Sequence, residues 1–173
     1  NDFTTESWGN PIEGNVYDNV SDFFQGSNIF DNSVSITGGS KSNSFYLSAS
    51  NYDQTGIVPG TSFNKNTFRF NGEQKYGILT ASANVSYSQA RTDKAFTAGG
   101  LYTAGGSGAM SSLYGWSRSD DITHWLNNDD TRYRIFQGLQ EPQADTENPY
   151  WVINRNTLQD ATDRFTGALN LNV

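Results

Sequence analysis

The chain has no cysteine, one histidine and one methionine in 173 residues. The lack of thiols removes disulfides, thiolate metal sites and cysteine nucleophiles together. A single imidazole, His124, rules out a metal centre built on several histidines and leaves almost no room for a Ser-His-Asp triad. Basic residues are also few, with 11 Lys and Arg against 18 Asp and Glu, for a formal net charge of -7. Phosphate neutralisation needs clustered cations, and these are scattered, which argues against a nucleic-acid partner. No stretch approaches the roughly 20 apolar residues of a spanning helix. That absence bears on helices alone, because a spanning barrel is apolar on only one side of each strand. Its average hydropathy can therefore be as low as the -0.64 found here. Asn1 is not preceded by a basic or apolar leader, so any signal peptide lies outside the given sequence.

What is present points to strands. The 17 glycines, the 14% aromatic content and the many Ser, Asn and Thr favour turns and pleated segments over helices and predict an all-β chain. The clearest strand interleaves Leu79, Ala81, Ala83, Val85 and Tyr87 with Thr80, Ser82, Asn84, Ser86 and Ser88, one apolar row and one polar row. The same alternation runs through Ser33 to Thr37, Ser44 to Gln54, Asn64 to Gln74 and a C-terminal segment containing Phe165, Gly167, Leu169, Leu171 and Val173, about five strands in all. The last one stops in mid-pattern, and an open apolar-faced edge is an aggregation hazard, so further strands are expected beyond Val173. Connections alternate between short (38–43, 75–78) and long (55–62, 93–160). In an outer-membrane barrel short turns lie on the periplasmic rim and long loops outside, which places 55–62 and 93–160 outside the cell. Gly38 and Gly39 are expected to supply positive φ for a tight turn. Asn1 to Asp31 has no sustained period beyond a short helical turn near Ser21 to Gln25.

Several runs carry a family resemblance. They are Asn32-Ser33-Val34-Ser35-Ile36-Thr37-Gly38-Gly39-Ser40, Ser44-Phe45-Tyr46-Leu47-Ser48-Ala49-Ser50 and Asp53-Gln54-Thr55-Gly56-Ile57-Val58-Pro59, continuing into Asn66-Thr67-Phe68-Arg69-Phe70-Asn71. Glu6-Ser7-Trp8-Gly9, Asn148-Pro149-Tyr150-Trp151 and Asp163-Arg164-Phe165 extend the match to the flanks. In this order they resemble SusC/RagA-type TonB-dependent outer-membrane transporters over nearly the whole chain, least in 95–143. The resemblance implies a segment of a large antiparallel transmembrane β-barrel of about 22 strands in the outer membrane of a Gram-negative bacterium. Such a transporter imports glycans or peptides together with a SusD-like surface lipoprotein and draws energy from TonB, which it contacts through a part of the parent chain not present here. Residues 1–31 would be an irregular lead-in after the absent plug, and 32–92 barrel strands with short turns. Residues 93–160 would form one long extracellular loop, and 161–173 a further, truncated strand touching outer-membrane lipid. No enzymatic activity and no cofactor are implied.

The long loop holds the candidate ligand or lid contacts: Trp116, Trp125, Tyr133, Tyr150 and Trp151. Indole and phenol faces suit the apolar faces of sugar rings. Equally, these aromatics can pack the loop against itself or the lid, or belong to an interfacial girdle. Asn127-Asn128-Asp129-Asp130 offers oxygens to a hard cation, but its spacing fits a solvated turn better than an EF-hand. Gly105-Gly106-Ser107-Gly108-Ala109 falls short of a nucleophile elbow, since Ala stands where the last glycine belongs. Adjacent Asp120 and Asp121 do not by adjacency converge for acid/base work. A soluble all-β carbohydrate-binding module is the competing architecture. There the apolar rows would be buried between two sheets, whereas in a barrel wall they face lipid.

Overall fold

The computed structural model describes residues 11–97, 108–133 and 147–173. Five strands form one antiparallel meander in the order β1-β2-β3-β4-β5: β1 Ile29–Gly39, β2 Asn43–Thr55, β3 Ser62–Tyr76, β4 Leu79–Ala95 and β5 Thr157–Asn172. The sheet is open, with β1 and β5 as its edges. The all-β expectation and its five strands hold. The first four strands run past one or both expected ends, pairing through their backbones where the alternation fades, and β5 starts at Thr157, inside the stretch expected to be loop.

Register fixes the faces. Val34, Ala49, Phe68 and Tyr87 lie opposite one another across the first four strands. Ile36, Leu47, Phe70 and Val85 form the next row, and Gly38, Phe45, Gly72 and Ala83 the one after. Asp163 on β5 accepts from Tyr87 (2.8 Å) and Gln89 (3.1 Å), and Gln159 donates to Asp93 (2.8 Å). Odd residues of β5 therefore share this face, adding Phe165, Leu169 and Leu171 to it. The other face carries Ser33, Ser50, Thr67 and Ser88 in one row and Ser35, Ser48, Arg69 and Ser86 in the next.

The turns are chemically distinct. Gly77, at φ 61°, occupies the first position of the two-residue link between Tyr76 and Leu79, the place where a II′ hairpin turn requires positive φ. Pro59 and Gly60 (φ 76°) close a turn in which Thr61 N–H donates to Val58 O at 3.2 Å, the Pro-Gly order of a type II turn. Gly38 and Gly39 differ from expectation: neither has positive φ, and both end β1. Their smallness is what matters. A β-carbon on Gly38 would meet the Phe45 ring at 2.7 Å, and one on Gly39 the Asn43 carbonyl at 2.6 Å.

The chain divides into two compact units, one comprising Ser27–Gly56, Ser62–Asp93 and Gln159–Val173, the other Asn1–Gly26, Ile57–Thr61 and Lys94–Leu158. The second unit holds three short helices, α1 Asn19–Phe23, α2 Ala109–Gly115 and α3 Pro149–Arg155. Its core is Phe23, Ala109, Leu113, Trp116, Ile122, Val152 and Ile153. Phe23 of the lead-in is thus packed with residues of the long connection. The helical turn of the lead-in begins at Asn19, two residues before the expected Ser21, and β1 begins at Ile29, inside the stretch expected to be irregular.

Candidate functional site

Two surfaces carry chemistry. The first is the apolar face of the sheet. From Phe68 to Tyr76 on β3 and from Leu79 to Tyr87 on β4, alternate residues of this face are almost all apolar or glycine, with Gln74 the exception. The band is exposed: Val34 is 63% accessible, Phe165 71% and Leu169 72%. No residue of this face belongs to the buried core of the described residues. Toward the long connections the same face turns polar within one row, at Asn32, Asn51, Asn66 and Gln89. The amides there are linked: Asn51 Nδ2 donates to Asn66 Oδ1 (2.8 Å), Asn66 Nδ2 to Asn64 Oδ1 (3.1 Å), and Asn64 Nδ2 to the Asp53 carboxylate (2.9 Å). Tyr87 sits in the last apolar row, and its hydroxyl reaches Asp163 in the polar one.

The second surface lies in the helical unit and contains the five aromatics singled out from the sequence. The structure separates them. Trp116 is only 5% accessible and is part of the core, its indole N–H without a partner among the described residues. Tyr150 packs edge-on to Phe23, with ring centres 5.2 Å apart, and its hydroxyl donates to Asp22 O at 3.2 Å. This half-buried phenol is pushed above its ordinary range by burial, with the carboxylates of Asp22 and Asp121 adding to the effect. Tyr133 stacks on His124 at 4.0 Å and donates its hydroxyl to Asp120 at 2.9 Å. Burial, then that hydrogen bond and the carboxylate charge, push the Tyr133 phenol up to about 12. These three aromatics organise the unit.

Trp125 and Trp151 are half-exposed, as Tyr133 and Tyr150 are, but their rings face each other instead of the core. Their rings meet at 6.3 Å with a 60° tilt, and the Arg155 guanidinium lies 4.8 Å over Trp151. Arg155 takes one face of Trp151 by a cation–π contact. It also borders, with Lys94, Phe96, Thr97 and Leu158, a cavity of about 560 Å³.

The acidic pairs resolve into turn chemistry. Asp121 Oδ1 accepts from the Thr123 N–H (2.9 Å) and hydroxyl (2.7 Å), and Asp120 holds Tyr133, so the adjacent carboxylates serve different partners. Asp129 Oδ1 accepts from the Thr131 N–H and hydroxyl in the same way. These bonds hold both Asp121 and Asp129 below the usual carboxylate range. Asn127 N–H closes the turn onto Thr131 O at 2.8 Å, with Asp130 at φ 61°. Among the described residues no group of three or more His, Asp or Glu side chains is placed to hold a metal ion. The glycine-rich runs at 99–100 and 105–107 and the motif at 6–9 lie outside the described residues.

Two buried asparagines escaped the sequence reading. Asn19 donates to Ser117 O and Asp120 O, both at 3.0 Å, and accepts from Ile122 N–H at 3.1 Å. Asn148 donates to Ile122 O at 2.9 Å and caps α3 by accepting from Tyr150 N–H at 2.8 Å. The Asn148-Pro149 pair carries an N-cap signal, but nothing local to Asn19 announces partners about a hundred residues away.

No protein-family model matches this chain, and no curated protein matches it in sequence.

Proposed function

We propose that this chain forms part of the wall and one outer loop of a SusC/RagA-type TonB-dependent outer-membrane importer. The importer takes up glycans or peptides together with a SusD-like lipoprotein. One observation carries the reading: a five-stranded antiparallel sheet with an exposed apolar band on one face and a polar face behind it. A spanning strand uses about 9–11 residues, and the run from Phe68 to Tyr76 is of that length. Aromatic residues at both ends of the band, Tyr76 at one and Phe68, Tyr87 and Phe165 at the other, fit interfacial girdles. The row of amides beyond them fits the transition to headgroups and water. The polar face would look into the lumen, and the short turns would face the periplasm. The free edges of β1 and β5 would pair with further strands of the parent barrel, since a spanning sheet must close.

The soluble carbohydrate-binding module is the weaker reading, because a sandwich would bury Val34, Phe68 and Leu169 between sheets. The decisive experiment is the denaturing-gel mass and membrane partition of the polypeptide that carries the peptide from Asn32 to Val58. An outer-membrane species far larger than 19.1 kDa is expected. A soluble species of that mass would overturn the proposal.

A further inference from the structure

On the apolar face, Ala49 is the small member of its row, flanked by Val34 on β1 and Phe68 on β3. The step in side-chain size leaves a shallow, open depression of about 320 Å³ lined by Val34, Ala49, Phe68, Asn32, Asn51 and Asn66, with Ser33 and Ser50 of the intervening strand positions also bordering it. Small-molecule sites begin near this volume. The depression is also two-sided in chemistry. Its floor is apolar and continues along the strands into the row of Ile36, Leu47 and Phe70, while its rim toward the long connections is made of carboxamides. The rim is polarised: Asn51 donates to Asn66, Asn66 to Asn64 and Asn64 to Asp53. With one N–H of Asn51 engaged, the second stays open as a donor, and the Asn32 amide beside it makes no side-chain bond among the described residues. Hydrogen bonds in such a chain strengthen one another, which fixes the rim amides in place.

We propose that this depression seats one acyl chain of a membrane lipid. The chain lies over Ala49, and the uncharged ester linkage of the lipid accepts hydrogen bonds from the amide N–H groups of Asn32 and Asn51. The occupant follows from the order of polarity. An amphiphile placed with its tail along the Ala49–Leu47 row brings its linkage to the amides, where a plain hydrocarbon would leave them unmatched and a soluble polar ligand would gain nothing from the floor. The site lies on the side opposite the polar face and so is separate from any path for cargo. The inference rests on the apolar band being lipid-facing, and deepens that reading from general contact to one held lipid.

The test uses the complete protein that carries this chain, reconstituted in phosphatidylcholine vesicles containing a diazirine on the acyl chain, followed by irradiation and peptide mapping. Labelling is expected to concentrate at least about fivefold on the peptides containing Val34, Ala49 and Phe68 relative to the peptide containing Phe165 to Leu171. Ala49→Leu, which fills the depression with an equally apolar group, should abolish that excess. Asn51→Ala, which leaves the floor intact, should reduce it. Even labelling across the band that neither variant alters would overturn the lipid seat while leaving the membrane wall intact. No labelling of any strand peptide would overturn both.

Discussion

The phenyl ring of Phe45 lies over Gly38 of the neighbouring strand, so closely that a β-carbon built on the glycine would meet the ring at 2.7 Å. Gly72 is covered instead by Phe70 of its own strand, at 2.9 Å. Aromatic rings on the apolar face thus fill the space that glycines leave, and the cross-strand pair Gly38–Phe45 is of the kind that pins strand register. Gly38→Ala would displace only the far end of a ring, at about 0.5–1.5 kcal/mol for an off-rotamer side chain. Gly39→Ala would meet the Asn43 carbonyl, which Ser40 N–H holds at 2.7 Å, and should cost about 1–3 kcal/mol. Heat-induced unfolding of the two variants on semi-native gels checks the order, and equal stability would contradict it.

A charge on the apolar face should be costly where one on the polar face is not. Val85→Lys places an ammonium in the middle of the band and is expected to cost about 2–4 kcal/mol in a bilayer. Asn84→Lys, one residue before it on the polar face and opposite the uncharged Asn71, should change stability by about 0.5 kcal/mol or less. Urea titration of both in lipid vesicles reads the difference, and equal losses would remove the assignment of faces.

The aromatics of the helical unit should divide by role. Trp116→Ala empties part of a core and should destabilise the unit by about 3–5 kcal/mol. Trp125→Ala and Trp151→Ala should leave folding largely intact and, under the proposed importer function, weaken cargo binding by about 0.5–1.5 kcal/mol through lost stacking. Calorimetry of cargo binding, alongside thermal unfolding, separates the two classes. Unchanged affinity and uptake in both variants would remove Trp125 and Trp151 from any ligand site.

Asn19 should matter more than a residue in an irregular lead-in would. Asn19→Asp keeps the acceptor for Ile122 N–H but loses both donors, leaving the carbonyls of Ser117 and Asp120 without them. Unsatisfied buried groups cost about 1–3 kcal/mol each. Limited proteolysis should therefore cut the variant faster within 108–133 than the parent, and an unchanged pattern would count against the network.

The pH response of this unit has a defined sign. Asp121 and Asp129 titrate below their unfolded range, so the stabilisation of their turns is present above about pH 4 and fades as pH falls through the lowered values. Amide exchange of Thr123 and Thr131 should accelerate there beyond the intrinsic rate, and show no such step between pH 5 and 8. Tyr133 has the opposite sign. Its contribution is present below the ordinary tyrosine range near 10 and lost as pH rises through about 12. Ultraviolet titration of the wild type against Tyr133→Phe should show one phenol ionising late, and a difference spectrum centred near pH 10 would contradict this.

The alternation of Leu79 to Ser88, the repeated dyads of the other four segments and the lack of any long apolar run determined by themselves that this is a β chain with one apolar and one polar face. A period of two needs no tertiary information to be read, because successive side chains on a strand must point to opposite sides. The helix that Asn148-Pro149 starts lies inside the stretch expected to be loop, although its capping chemistry is local. Only the tertiary structure aligned Asn51 with Asn66 into an amide row at the end of the apolar band, because register between strands sets which residues become neighbours. It also sent Trp116 into a core and left Trp125 and Trp151 half-exposed, although all are tryptophans in one stretch of sequence. Asn19 found its partners near residue 120 for the same reason: a buried amide is satisfied by whichever backbone groups the packing brings to it, and those lie far away along the chain.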